Sequence, residues 1–200
     1  MSVSAETAII ILAAGESSRM GRPKQLLSWQ GQPLVRHVAE MALAVPNTSV
    51  HVVLGAHLEA VAEALQGLPL RLCTNESWSE GMGASVCAGL RAVLDDEPAA
   101  AAVLFLLCDQ PLITADLLCE MIRKHREGAA LVATCYQNTL GVPALFGASL
   151  YPELLALRGD QGAKKIIQRH RERAAVVPFP QAATDFDTYE DYERAASPQV

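Results

Sequence analysis

The sequence predicts an α/β protein of three layers, a mainly parallel, Rossmann-like sheet with helices on both faces. Three observations carry that expectation. Short apolar runs rich in β-branched residues recur along the chain, segments with helical apolar spacing separate them, and several runs end abruptly in glycine-rich or acidic loops. Strands separated by helices at this rhythm imply βαβ units whose strands are buried on both faces.

Residues 8–12 are the first predicted strand, a continuous apolar run containing Ile9, Ile10 and Ile11. Residues 32–45 place Leu34, Val35, Val38, Met41 and Ala42 at helical spacing, with Pro33 suited to the first turn and Pro46-Asn47 as the stop. A second strand over 50–54 precedes Gly55 and a helix over 58–65. Residues 69–73 read as a short third strand, after which a polar loop, 74–83, leads into a helix over 84–94. The fourth strand, 103–107, is apolar throughout, and Thr114 is a plausible N-cap for a helix reaching Lys124. Residues 130–135 form the fifth strand, and 141–146 read as a turn entering a short strand. Helices over 148–157 and 163–170, a strand over 174–177 and a helix over 189–196 complete the chain. Without an internal repeat or a long linker, residues 1–200 read as one domain.

Composition narrows the classes of function. Half of the 200 residues are hydrophobic and 19% are charged, which suits a globular protein with a substantial core. A net charge of −6 argues against a general nucleic-acid binder, because phosphate-backbone affinity needs clustered Lys and Arg. The first residues lack a basic segment followed by an apolar core, and no apolar run reaches about 18 residues. The expectation is therefore a cytoplasmic protein with neither secretory signal nor membrane span. Five widely spaced cysteines form no Cys-x-x-Cys pair, hence neither a disulfide framework nor a zinc site. The five histidines show no metal-site spacing and read as surface or satisfied, partly buried residues.

Chemistry concentrates in the loops that follow strands. In open parallel sheets, ligands gather beyond the carboxyl ends of the strands. After Leu12 come Ala13, Ala14 and Gly15, then Ser17, Ser18, Arg19, Gly21 and Lys24. A small-residue loop with free amides and two fixed cations suits a polyphosphate. Five residues separate Gly15 from Gly21 and two more precede Lys24, so the loop is not Gly-x4-Gly-Lys-Ser/Thr. It also lacks the Gly-x-Gly-x-x-Gly dinucleotide fingerprint, and no Gly-x-Ser-x-Gly elbow supports a serine hydrolase.

Asp109 directly follows the fourth strand, where a carboxylate is costly unless paired or metal-bound. It serves there either as a cap or as a ligand for Mg²⁺, which binds one or two carboxylates together with substrate phosphates. Asp187, far along the chain, is a second carboxylate or simply the cap of the last helix. Between Asn75 and Ser85, Gly81 and Gly83 would let a flat base approach the backbone and Ser85 supplies a hydroxyl. Helix capping by Ser77 or Ser79 explains the same segment without a ligand.

Together these segments resemble the molybdopterin-type nucleotidyltransferases. The resemblance rests on Leu12-Ala13-Ala14-Gly15, Ser18-Arg19-Met20-Gly21 with Lys24, and Asp109-Gln110-Pro111. It extends through residues 75–90, Gly141-Val142-Pro143, Gly159-Asp160-Gln161-Gly162 and Asp187-Thr188-Tyr189-Glu190-Asp191. It implies a fold of the nucleotide-diphospho-sugar transferase type and CTP and a molybdenum–molybdopterin cofactor as substrates. CMP transfer would release pyrophosphate, with Mg²⁺ as cofactor and a molybdoenzyme or its maturation chaperone as partner. Leu12 to Gly15, Asn75, Gly81 and Ser85 would bind the nucleotide, with Arg19 and Lys24 on the triphosphate. Asp109 and Asp187 would hold the metal, while Gly141, Pro143, Gly159 and Asp160 would shape the cofactor side. Ala13-Ala14 fits the cytidylyl branch, since guanylyl-transferring relatives tend to carry Leu-Ala-Gly-Gly. Two departures stand out: Cys108 precedes Asp109 where the family often has a small residue, and Tyr189 replaces a common Pro. Guanylyl transfer, cytidylyl transfer to another phosphorylated metabolite and a non-catalytic cofactor-delivery chaperone are the competing readings.

Overall fold

A computed structural model describes residues 6–183 and Tyr192. Its main sheet has seven strands: β1 (Thr7–Leu12), β4 (Thr48–Leu54), β5 (Arg71–Thr74), β6 (Ala102–Leu107), β7 (Leu131–Tyr136), β8 (Thr139–Gly147) and β9 (Ala175–Pro178). A separate two-residue pair, β2 (Ser28–Trp29) and β3 (Gln32–Pro33), precedes the first helix. The order across the main sheet is β5-β4-β1-β6-β8-β7-β9. Only β8 runs antiparallel to its neighbours; every other pairing is parallel.

The apolar run of β1 explains its central place. All six of its residues are buried, and successive side chains enter opposite layers. Ile9 and Ile11 join Val50, Val52, Leu104 and Leu106 beneath three helices, α1 (Leu34–Leu43), α2 (Leu58–Ala64) and α4 (Ala115–Arg126). Ile10 joins Val53, Val103 and Phe105 beneath α3 (Met82–Asp96), α5 (Tyr151–Leu155) and α6 (Lys164–Arg169). The parallel register Leu12↔Val53 and Leu12↔Leu107 brings the carboxyl ends of β1, β4 and β6 to one edge.

Several boundaries differ from the sequence expectation for local reasons. Residues 32–33 do not start the first helix, because Gln30 and Gly31 adopt positive φ (51° and 85°) in the turn that pairs β2 with β3. The short strand expected after Gly141 is nine residues long. It doubles back on β7 through Gln137 and Asn138, both at positive φ (48° and 59°). The third strand is Arg71–Thr74 rather than 69–73, and 148–157 contains a 3₁₀ turn followed by the short α5. The expected helix over 189–196 lies outside the described residues apart from Tyr192. Thr114 caps α4 as expected, its Oγ1 accepting from Leu117 N–H at 3.3 Å. Among the described residues no helix is long and apolar enough to cross a membrane.

The histidines are less bland than the sequence implied. His51 is 1% exposed, and neither ring nitrogen has a hydrogen-bond partner among the described residues. Burial holds its pKa below the ordinary value, opposed by the Glu97 carboxylate 3.9 Å away. His37 and His57 reach backbone carbonyls of functional loops, considered below.

Helix α3 lies close on the sheet because residue 89 is Gly: a Cβ there would sit 2.7 Å from Ile10 Cγ2 and 2.9 Å from Val53 Cγ2. Gly89→Ala adds helix propensity but overpacks this contact, at a cost of about 1–3 kcal/mol. Its urea midpoint should fall; an unchanged or raised midpoint would show that the layer has slack.

Candidate active site

The carboxyl ends of β1 and β6 and the start of α3 enclose a cleft of about 260 Å³. Leu12, Ala14, Gly15, Lys24, Gly81, Ser85 and Asp109 line it, as the sequence proposed. Asp109 is 4% exposed and its Oδ2 is ion-paired with the ammonium of Lys24. Its Oδ1 is buried with no hydrogen-bond partner among the described residues. A buried carboxylate oxygen left unsatisfied is costly, and a hard cation satisfies it. Burial first, and the Asp109 carboxylate second, push the thiol of neighbouring Cys108 up to about 12, so it is no nucleophile at neutral pH.

The loop after β1 is held in an unusual way. Four consecutive carbonyls are each engaged by a donor. Ala13 O and Gly15 O accept from the two hydrogens of Gln25 Nε2, at 3.0 and 2.7 Å. Ala14 O accepts from Ala56 N–H at 3.1 Å. Glu16 O lies 2.9 Å from His57 Nε2, which must carry the proton because a carbonyl only accepts. Each trans peptide points its N–H opposite to its C=O. The N–H groups of Ala14, Gly15, Glu16 and Ser17 donate to no described residue. Successive N–H groups left without an acceptor can serve as an anion-binding nest where they converge.

The remaining predicted residues divide. Ala13 turns its methyl into the core under α1 and α2 instead of lining the cleft. Asn75 stands behind Ser85: its Oδ1 accepts from Ser77 N–H and its Nδ2 donates to Ser85 Oγ at 3.1 Å. That polarity leaves the Ser85 hydroxyl proton as the group available for donation. Gly141 and Pro143 are buried within β8, and Gly141 packs against the Tyr136 ring. They connect to the site through Gln110, whose Nε2 donates to Val142 O at 3.0 Å. His37 Nε2 lies 3.0 Å from Pro111 O in the same Asp109 loop. Arg19 belongs to the 3₁₀ turn Ser18–Met20, and its side chain lies outside the description, as does the whole of Asp187.

The structure adds a packing reason for Gly81 to be glycine. Its φ is +110°, and a Cβ would lie 2.6 Å from both Gly159 C and Asp160 Oδ1. Gly83 N–H donates to Gly159 O at 2.9 Å. The Gly159-Asp160 loop is thus seated on the first turn of α3 and braces the cleft wall from outside. It borders a second hollow of about 250 Å³ shared with Asn75, Glu80 and Arg91.

Sequence reasoning missed Gln25 and His57. The polar Gln25 between Lys24 and the apolar Leu26-Leu27 was the available signal for the first; His57 gave none, since its partner is 41 positions away.

A family model described as the MobA-like NTP transferase domain matches residues 9–174. Nicotine blue oxidoreductase of Paenarthrobacter nicotinovorans is 32% identical over 195 residues, covering 92% of this chain and 94% of that protein. Among solved structures, the homologue of Mycobacterium tuberculosis Rv0371c from Mycobacterium sp. strain JC1 has a TM-score of 0.82 at 28% identity, covering 97% of this chain and 96% of that one. Rv0371c itself, solved in complex with manganese, gives a TM-score of 0.80 at 24% identity over 97% of this chain and 99% of its own.

Gly81→Ala should force the Gly159 loop off α3, because its methyl would lie 2.6 Å from the Gly159 backbone and the residue sits at φ +110°. Hydrogen exchange of the Gly83 amide reads this directly. Faster exchange is expected; wild-type protection would show that the loop is not held this way.

Proposed function

The chain belongs to the MobA-like NTP transferase family, and on that premise we propose that it transfers CMP from CTP to a molybdenum–molybdopterin cofactor. The observation that carries the transferase reading is the buried Asp109, whose Oδ1 has no partner among the described residues, lining the same cleft as Ala14, Gly15 and Glu16, whose amides donate to no described residue. Anion donors and a cation ligand on one cleft suit a metal-bound triphosphate.

In this reading the N–H groups of residues 14–17 cradle the phosphates, and Lys24 and Arg19 add fixed positive charge. Asp109, with Asp187 offered by the resemblance, would hold Mg²⁺. Bound there, the ion would neutralise phosphate charge and lower the barrier to attack. A terminal phosphate oxygen of the acceptor forms the new bond to the α-phosphorus, the bond to the β-phosphate oxygen breaks, and pyrophosphate leaves. The attacking oxygen is already ionised near neutral pH, so the site needs no strong general base. The residues act by positioning and charge stabilisation. Ser85 donates to an acceptor on the base, and Ala14, on the same cleft, stands where guanylyl-transferring relatives tend to carry Gly. That supports CTP over GTP. Gly159 and Asp160, seated against Gly81, and Gly141 and Pro143, tied to the Asp109 loop through Gln110, form the acceptor side.

The name of the 32% identical relative favours a second reading, a redox reaction in the same cleft with no pyrophosphate released. A panel of the four nucleoside triphosphates, scored by pyrophosphate release with molybdopterin cofactor present, separates the two. Release with CTP above the other three is expected. Release with GTP would move the protein to the guanylyl branch, and no release with any nucleotide would remove the transferase reading.

Asp109→Asn keeps the side-chain shape and removes the charge. It should lower turnover by about 10²-fold or more, the scale of a lost charge-stabilising group. Near-normal turnover of the folded variant in Mg²⁺ would contradict the metal assignment.

A further inference from the structure

We propose that Gln25 is the positioning residue of the anion-binding loop. This inference rests on the nucleotide reading of the cleft and adds to it the side chain that makes the loop competent. Gln25 is 0% exposed, in the middle of the 3₁₀ turn Lys24–Leu26, where a buried amide has no packing advantage over Leu or Met. Burying an amide is unfavourable unless its hydrogen bonds are made. All of this amide is used. Its Nε2 donates to Ala13 O and Gly15 O, and its Oε1 accepts from Ser17 Oγ at 3.3 Å. Ser17 Oγ in turn accepts from Lys24 N–H at 3.1 Å.

The consequence follows from peptide planarity. Drawing the carbonyls of Ala13 and Gly15 onto one side-chain nitrogen turns the N–H groups of Ala14 and Glu16 away from it. Two carbonyls that would otherwise repel a phosphate are thereby occupied, and two donors are set before any anion arrives. Ser17 sits in the left-handed region at φ +60°, an arrangement that its hydroxyl bonds to Gln25 and Lys24 hold in place. Through Lys24 N–H the same network fixes the start of the residue whose ammonium meets Asp109. Gln25 touches no reacting atom in this scheme; it acts through the loop. Preorganised donors bind an anion more tightly than donors that must first be turned.

Gln25→Met preserves length and apolar packing but removes every one of these hydrogen bonds. Calorimetric titration with inorganic pyrophosphate and with CTP, both in Mg²⁺, should show binding weaker by about tenfold or more in the variant. Val177→Ala, a core truncation in the edge strand β9 with β6, β8 and β7 between it and β1, serves as the control for lost stability and should bind as the wild type does. Equal affinity in Gln25→Met and wild type, or a loss no larger than in Val177→Ala, overturns the role of Gln25 while leaving the nucleotide reading intact. Absence of binding by the wild type removes the nucleotide reading itself. Should Gln25→Met not fold, hydrogen exchange on the wild type decides: the amides of Ala14 and Glu16 should become protected on adding pyrophosphate, and unchanged exchange overturns the proposal.

Discussion

The site depends on one constraint, the engagement of four successive carbonyls in the loop after β1. A backbone loop is normally neutral in effect, because its donors and acceptors are equally available. Here Gln25, Ala56 and His57 claim the acceptors of residues 13–16 and leave the donors of residues 14–17. The loop therefore presents net positive potential without a lysine or arginine contributing to it. That potential comes from peptide dipoles held in a fixed direction, so it is in place before a ligand arrives and needs no reorganisation when charge develops.

The sheet makes this constraint possible. Continuous burial of β1 on both faces fixes its carboxyl end between β4 and β6, so the loop and Asp109 emerge side by side. Gly55 completes the approach: a Cβ there would lie 2.5 Å from Ala14 O, and the following N–H of Ala56 is the donor to that oxygen. Beyond the carboxyl end of β6, Lys24 compensates one oxygen of Asp109, and the other has no hydrogen-bond partner among the described residues. Removing one member of such a buried pair exposes the other to an uncompensated charge. The same cleft is thus lined by Ala14, Gly15 and Glu16, whose amides donate to no described residue, and by Asp109.

Much of this was legible in the sequence, and the remainder was not for identifiable reasons. Apolar runs marked β1, β4 and β6, the abrupt Asp109 stood out after Val, Leu and Phe, and Lys24 stood out as a cation in a loop of small residues. The direction of β8 was hidden because it turns on two residues, Gln137 and Asn138, adopting positive φ. Gln25 was hidden because its meaning lies in which carbonyls it reaches. His57 was hidden because its partner is remote in sequence and close only after β1 and β4 pair. Gly81 was legible as a necessary glycine, but the approach of Gly159 to it was hidden, because that loop is remote in sequence.

The most direct test of the central claim is a crystal structure with Mn²⁺ and a non-hydrolysable CTP analogue, located by the anomalous signal of the metal. The account predicts a manganese peak on the Asp109 carboxylate, with analogue phosphates against the amides of residues 14–17. A peak away from Asp109, or phosphates bound elsewhere with that loop unoccupied, would contradict it.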